Sequence, residues 1–455
     1  MSQEYNRLGK RGRNVITTTI ISLVTCVLLI FSILFYPKIR IKNFVFNSYW
    51  IICVVGALAI LISNSVSLTE VFNGLFEDTI INPIKILLLF FSMTFLSIFL
   101  DEVGLFRYLA SFLVRNFKSN QKLLFITMYV MVAILTIFTS NDIVILTFTP
   151  FICYFSKNAK INPIPYLVAE FAAANTYSMM LIIGNPTNIY LATSANIDFI
   201  SYFKVMAIPT LLSGLVQIGI MFLVFNKQLK EKVSIDETKA RVKSKLDLTF
   251  GLGHLLVCLV LLVISSYVNL DMWIVCLICA ASLIACIIFS HLIRHKKLKI
   301  IIKTAKRLPF NLVPFVISMF VIVLALNKQG ITGYIASFLG QDNLILKYGV
   351  SSFVSSNLIN NIPMSVLFSN IINFSDINLC NQAIYATIIG SNLGAFLTPV
   401  GALAGIMFTD LVSKQEINFS FKTFIKYGSI ITIPTLIASL FGLFLVAQKL
   451  LIINL

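Results

Sequence analysis

Gly184-Asn185-Pro186-Thr187-Asn188 stands inside residues 163–196, a stretch otherwise apolar enough to enter a bilayer. A flexible residue, a helix breaker and three polar side chains occupy a place where a spanning helix should be unbroken. Breaking such a helix strips backbone N–H and C=O groups of their partners. In hydrocarbon each unsatisfied group costs several kcal/mol, so the break survives only where protein, water or a ligand replaces the lost hydrogen bonds. The broken ends also present dipoles: N-termini attract anions, while C-termini and freed carbonyls attract cations. A lone proline kink would mean little in a membrane helix. Proline flanked by Asn and Thr is more specific.

Three further stretches are interrupted in the same manner. Residues 121–156 break at Thr139-Ser140-Asn141-Asp142, and residues 346–371 break from Asn357 through Asn360-Asn361-Ile362-Pro363. Residues 380–411 carry Gly390-Ser391-Asn392-Leu393-Gly394 and then Thr398-Pro399-Val400-Gly401. Around them, uninterrupted apolar runs near 15–36, 50–68, 83–100, 205–225, 249–267, 271–291, 310–326 and 424–448 each read as one plain spanning helix. Runs of about twenty residues match a hydrocarbon core ~30 Å thick. The 455-residue chain is 58% hydrophobic and only 12% charged, where soluble domains carry about 25% charged residues. Such a chain cannot cover itself with polar groups in water. It reads as an all-α, multi-pass protein of the cell membrane, and soluble-enzyme readings are excluded.

The pieces occur twice in the same order. Residues 15–225 give three plain helices, an amphipathic stretch at 101–118, an interrupted hairpin, an interrupted helix and a plain helix. Residues 248–455 repeat this, with Gly330 to Gly340 in the amphipathic slot. A polar tail, 1–14, precedes the first repeat, and a charged linker, 226–247, separates the two. If each hairpin enters and leaves by one side, each half crosses five times, about ten spans in all. Five is odd, so the second half is inverted relative to the first. Inverted repeats with paired broken helices point to a secondary transporter.

The net charge of +17 would suggest nucleic acid in a soluble protein. Here it fits Lys- and Arg-rich cytoplasmic loops that set orientation and face anionic lipid. With the linker in the cytoplasm, the segments near 38–42, 101–122, 157–160, 226–247, 292–309 and 412–426 also lie inside and hold 26 of the 35 basic residues. Arg7, Lys10, Arg11 and Arg13 of the tail then lie outside, against the positive-inside rule, and the side of the N-terminus stays open. The eight cysteines lie almost all in apolar runs and read as buried small residues. His254, His291 and His295 lack ligand spacing and read as interfacial. No HExxH, aspartate-rich prenyl-binding motif, Walker loop or Ser-His pair appears, so a membrane enzyme lacks its chemistry.

Candidate site residues follow from the breaks. The hairpin tips offer Ser140, Asn141 and Asp142, and Asn360, Asn361 and Pro363. The broken helices offer Gly184, Asn185, Pro186, Thr187 and Asn188, and Ser391, Asn392, Thr398, Pro399 and Gly401. The tips also fit ordinary extramembrane turns, but both pairs of arms look short for single spans. Asp142 at mid-membrane would cost ~2.5–3.5 kcal/mol on insertion scales and would need a cation, a proton or a hydrogen-bond partner. It also fits an interfacial helix cap. Asn175 and Thr176, on the helix leading into the first break, are also candidates, and Glu170, about a turn before them, reads equally as a coupling group or as an interfacial residue.

These residues resemble the ion transporter superfamily of arsenite-efflux membrane pumps, divalent anion/sodium symporters and related sodium/proton antiporters. Ile359-Asn360-Asn361-Ile362-Pro363 resembles the pumps' asparagine-asparagine-x-proline hairpin. Ile389 to Gly394 with Leu397 to Ala404 is similar to their paired glycine and threonine-proline motif. Ser140-Asn141-Asp142 occupies the slot of the symporters' serine-asparagine-threonine tip, and residues 184–188 resemble the glycine-x-proline-x-asparagine loop of several branches. The likeness runs through both halves in order. Asn175 and Asn392 stand where the pumps carry aspartate, within Asn175-Thr176-Tyr177-Ser178 in the first case, and Phe396 stands where they carry lysine. These departures argue against proton-driven arsenite extrusion.

The resemblance implies a secondary active transporter for a small anionic or oxyanion-like solute, with Na⁺ or H⁺ as the coupling ion and no other cofactor. Na⁺ would sit near Ser140, Asn141, Gly184, Asn361 and Thr398, with Asp142 and Glu170 as coupling groups. A sodium/proton antiporter is the alternative within transport. From another class, a passive channel or the membrane subunit of an ATP-driven efflux complex is possible, the latter with a separate ATPase. The expected partners are the solute, the bilayer and a second copy in a homodimer, but no nucleic acid.

Overall fold

The computed structural model describes residues 2–36, 38–41, 44–76, 82–117, 120–230, 242–268, 270–372, 374–415 and 417–453. Helix α1 (Ser2–Phe35) leads to a two-stranded antiparallel ribbon, β1 (Lys38–Ile41) and β2 (Phe44–Asn47), with Lys38 opposite Asn47. Next come α2 (Ser48–Ile62), α3 (Leu68–Phe76), α4 (Pro83–Val103) and α5 (Leu105–Phe117). The first hairpin is α6 (Gln121–Phe138) and α7 (Asn141–Ala159). The first broken helix is α8 (Ile164–Tyr177) and α9 (Pro186–Ser194), and α10 (Phe199–Phe225) closes the half. The second half runs α11 (Lys245–Val268), α12 (Met272–Ile293), α13 (Lys299–Lys306), α14 (Leu312–Lys328) and α15 (Ile331–Leu339). It continues with the hairpin α16 (Leu344–Ile359) and α17 (Asn361–Ile371), the broken helix α18 (Ile377–Gly394) and α19 (Leu403–Lys414), and α20 (Phe421–Ile453).

Local chemistry sets many of the boundaries. Asn82 Oδ1 accepts from the N–H groups of Ile84 and Lys85, with Pro83 opening α4, and Gly104 closes it at φ 97°. These are the N-cap, N1-proline and C-terminal glycine preferences of helices. Asp198 caps α10 and Asp376 caps α18 in the same way.

Among the described residues, seven unbroken helices are long and apolar enough to cross a bilayer: Asn14–Ile33, Pro83–Val103, Gln121–Phe138, Phe199–Phe225, Lys245–Ser265, Met272–Ile293 and Phe421–Gln448. An eighth is formed if α14 and α15 count as one span bent by 78°, a bend at Gly330, whose φ is 78°. Only glycine takes such a backbone at no steric cost.

Several expectations change in detail. The run 50–68 gives only the 15-residue α2 before Asn64 turns the chain at φ 54°. Helix α1 starts at Ser2, so the polar tail is helical. Half of the linker, 231–241, lies outside the described residues, and α11 begins at Lys245, inside the bounds expected for the linker. Arm length also ceases to argue for re-entry in the first hairpin, because α6 alone passes as a span. An 18-residue helix reaches about 27 Å at 1.5 Å per residue. Burial argues instead: Thr139, Ser140, Asn141, Asn360 and Asn361 are all buried inside the protein, which excludes tips standing free in water.

Packing between the halves is reciprocal. Helix α2 packs on α14 as α12 packs on α4, α7 packs on α19 as α17 packs on α9, and α10 packs on α20.

Candidate functional site

Asn392 stands at the centre of the site, fully buried near the end of α18. Its Oδ1 accepts from Ser178 Oγ (2.9 Å) and from Asn185 Nδ2 (2.9 Å). Its Nδ2 donates to Asn188 Oδ1 (2.7 Å) and to the Ile388 carbonyl (2.8 Å). One carboxamide of the second half thereby holds the broken helix of the first. Asn188 Nδ2 in turn donates to the Ser178 and Leu181 carbonyls at 2.7 and 3.3 Å. These are carbonyls that the break between α8 and α9 exposes, so the lost helix bonds are replaced by side chains. Gly184 is required there, since a Cβ would lie about 2.1 Å from the Ser178 carbonyl oxygen.

The network continues to the first hairpin tip. Asn141 Nδ2 donates to Asn175 Oδ1 (3.3 Å), and Asn175 Nδ2 donates to the Phe171 carbonyl (2.8 Å). Thr176 Oγ1 accepts from Gln217 Nε2 (2.7 Å), and Gln217 Oε1 accepts from Tyr129 OH (2.9 Å). This ties α6, α8 and α10 together behind the break.

The second-half breaks meet in the same way. Asn360 Nδ2 donates to the Val400 carbonyl (2.9 Å), inside the Pro399–Gly401 turn. Asn357 Oδ1 accepts from Thr398 Oγ1 (2.7 Å), and its Nδ2 donates to the Gly394 carbonyl (3.0 Å), two residues beyond Asn392. Asn361 and Pro363 sit in the first turn of α17, where a proline loses no helix bond. The carboxamide of Asn361 makes no hydrogen bond to the described residues.

Helices α7, α9, α17 and α19 all begin at the breaks, so four helix N-termini lie at the ends of this network. No Lys, Arg or His side chain joins it among the described residues. Three buried hydroxyls beside it, Ser140 Oγ, Thr187 Oγ1 and Ser391 Oγ, have no hydrogen-bond partner among the described residues. A buried hydroxyl left unpaired costs free energy and calls for an explanation, a bound water or ion among them.

The two carboxylates differ. Asp142 is half-buried in the first turn of α7, a favourable place in the helix dipole. Its N–H donates to Asn141 Oδ1 (2.9 Å), and its carboxylate has no ion-pair or hydrogen-bond partner among the described residues. The cap itself is Ser140. Glu170 is only 1% exposed and is held by Thr149 Oγ1 of α7 at 2.9 and 3.1 Å.

The cavity beside the first break is lined almost wholly by apolar side chains, with Pro186 and Tyr190 of α9 facing Ile362 and Ser365 of α17 between α4 and α14. Most of the carboxamides at the breaks bond one another or freed carbonyls. The cavity brings the first broken helix and the second hairpin tip together, as the pairing of halves requires.

Sequence reasoning left out Ser178, Thr149, Gln217 and Asn357 from the site. Asn357 alone carried a signal, three residues ahead of the tip in an apolar run. A serine or threonine inside a membrane helix commonly bonds its own preceding turn, as Thr136 does to Val132, and so gives no warning of a tertiary role.

Residues 26–375 match the family described as "Citrate transporter". This range holds both hairpin tips and the first break and stops short of the second. The chain is 27% identical over 373 residues to an arsenical pump membrane protein of Yersinia enterocolitica, covering 78% of this chain and 84% of that one. It is 26% identical over 372 residues to an arsenical pump membrane protein of Escherichia coli, with the same coverage. A putative arsenical pump membrane protein of Bacillus subtilis is 24% identical over 412 residues, 83% of this chain and 90% of that one. The crystal structure of the Alcanivorax borkumensis YdaH transporter superposes with a TM-score of 0.52 over 95% of this chain and 98% of that one. At 14% identity this likeness concerns the fold alone. The chain is a multi-pass membrane transporter and belongs to the citrate transporter family.

Proposed function

We propose that the protein is a secondary active transporter that moves a small anionic or oxyanion-like solute, coupled to Na⁺ or H⁺. The observation that carries this reading is the set of unpaired buried hydroxyls Ser140, Thr187 and Ser391 beside the ends of α7, α9 and α18. Helix N-termini suit an anion without a basic side chain, and hydroxyls, amides and freed carbonyls suit Na⁺. Ser140, Asn141, Gly184, Asn361 and Thr398 are the proposed surroundings of the cation. Asp142 and Glu170 are the groups that would carry a proton or balance the ion's charge.

Reciprocal packing of the halves supports an inverted repeat, in which the breaks form one site reached alternately from either side. The names of the relatives favour oxyanions of arsenic and carboxylates such as citrate as first solutes to test. A sodium/proton exchanger is the second reading, favoured by Glu170, a buried carboxyl held by a single hydroxyl.

Proteoliposomes separate these readings. Arsenite, sulfate, phosphate, dicarboxylates and citrate are supplied with an imposed Na⁺ or pH gradient. Accumulation of one solute against its own gradient, lost when the ion gradient is collapsed, is the expected outcome. Na⁺/H⁺ exchange with no solute moved would establish the exchanger. Solute flow only down its gradient would establish a channel and overturn the proposal.

A further inference from the structure

The segment between α12 and α14 separates its two kinds of basic residue. Its arginines face inward. Arg307 Nη1 lies 2.6 Å from Asp101 Oδ2 and 2.8 Å from Glu102 Oε1 at the end of α4. Burial opposes its charge, but the two carboxylates outweigh that and hold its pKa above the usual arginine value. Arg294 Nη2 lies 2.8 Å from Asp247 Oδ1, and His291 Nε2 lies 3.2 Å from Oδ2 of the same carboxylate. The lysines face outward: Lys296, Lys297, Lys299, Lys303 and Lys306 are exposed, and none forms an ion pair among the described residues.

Helix α13 is amphipathic along its short length. Thr304 is buried, and Ile300 and Ile301 pack against the core. Ile302 and Phe310, however, are 54% and 58% exposed beside the lysines. The span ending at Ile293 and the helix starting at Leu312 hold both ends of this segment at the membrane. A helix at that boundary with lysine heads in water and bare apolar side chains between them has the form of an interfacial, lipid-binding element.

We infer that α13 and its flanks are a docking surface for anionic lipid headgroups of the leaflet they face. The occupant is set by charge and position. Five unpaired lysines need several negative charges at once, and the exposed Ile302 and Phe310 need hydrocarbon, which only an acidic lipid surface supplies together. Orientation during insertion would require basic residues in this loop. It would not require the arginines to be paired internally while every lysine stays free. The inference is independent of the solute and of the coupling ion. Arg307 joins this segment to the end of α4, and α4 lines the cavity at Pro186 and Ile362.

The full-length protein in nanodiscs of phosphatidylcholine, with or without added phosphatidylglycerol, tests this. Phosphatidylglycerol should slow amide hydrogen exchange over residues 296–306 and raise the melting midpoint, with both effects falling at high salt. A variant with all five lysines changed to Gln should lose most of the midpoint rise, and the five-fold Lys→Arg variant should keep it. Equal rises in wild-type and Gln variants, or no exchange difference in the wild-type protein, would overturn the inference. So would the same effects from soluble inorganic phosphate or from an RNA oligonucleotide in phosphatidylcholine discs, since the occupant would then not be lipid. If the Gln variant fails to fold, the wild-type exchange comparison decides alone.

Discussion

Asn392 shows how much rests on one carboxamide. It bonds Ser178, Asn185 and Asn188 of the other half with all its capacity used. Asn392→Ala should leave buried groups unpaired at about 1–3 kcal/mol each, visible as a lower melting midpoint, and should abolish transport in proteoliposomes. Asn361 is the contrasting case, since its carboxamide bonds nothing among the described residues. Asn361→Ala should therefore leave the melting midpoint nearly unchanged while abolishing transport. Retained activity would remove Asn361 from the site. Asn185 and Asn188 were legible from sequence because polar side chains beside a proline have no other reason to lie in an apolar run. The partner of Glu170 was not legible, because Thr149 lies 21 residues away with nothing in its own neighbourhood to distinguish it.

At the scale of elements, the breaks were legible and the lengths around them less so. Run length cannot show that α14 turns through 78° at Gly330, because a glycine in an apolar run fits a straight helix equally well. Helices α16 and α18 pack closely, with glycine and serine at their contact. A Cβ on Gly390 would lie about 2.0 Å from Ser352 Oγ and 2.2 Å from the Gly349 carbonyl oxygen. Small residues let membrane helices approach in this way. Gly390→Ala should lower the melting midpoint, an overpacking cost of about 1–3 kcal/mol, because a backbone carbonyl cannot rotate aside.

Helix α3, not foreseen as an element, is fastened to α14 by Glu70 and Lys328 at 2.8 Å. Lys328 and the Ser67 N–H hold the Glu70 carboxyl at a pKa of about 2, below its ordinary value. The tether is thus complete above about pH 4.3, the unperturbed glutamate value, and is lost as pH falls toward 2. The midpoint difference between wild type and Glu70→Gln should be constant from neutral pH to that point and shrink below it.

For the whole molecule, the repeated order of pieces was legible because helix breakers recur at matching places in each half. Which faces meet was not, since apolar stripes look alike whether they touch lipid or another helix. The ion pairs sort into two sets. Arg307 with Asp101 and Glu102, Lys243 with Glu102, and Arg294 with Asp247 join segments expected on one side. Lys85 with Asp271 and Lys328 with Glu70 join segments expected on the other. A cysteine replacing Asp342 in a cysteine-free background should react with an impermeant maleimide on intact cells. One replacing Lys306 should react only after permeabilisation, and the reverse pattern would invert the orientation.

The crossed packing of α7 on α19 and α9 on α17 also bears on how the chain is made. Each half contributes a helix that the other must cover, so neither finishes alone as it leaves the ribosome. Until Asn392 is made, Asn188 waits in the bilayer without its final partner, and until α19 is made from Leu403 onward, α7 waits without its covering helix. Truncation between α16 and α19 should therefore yield a protein that quality-control proteases remove, rather than a smaller working one.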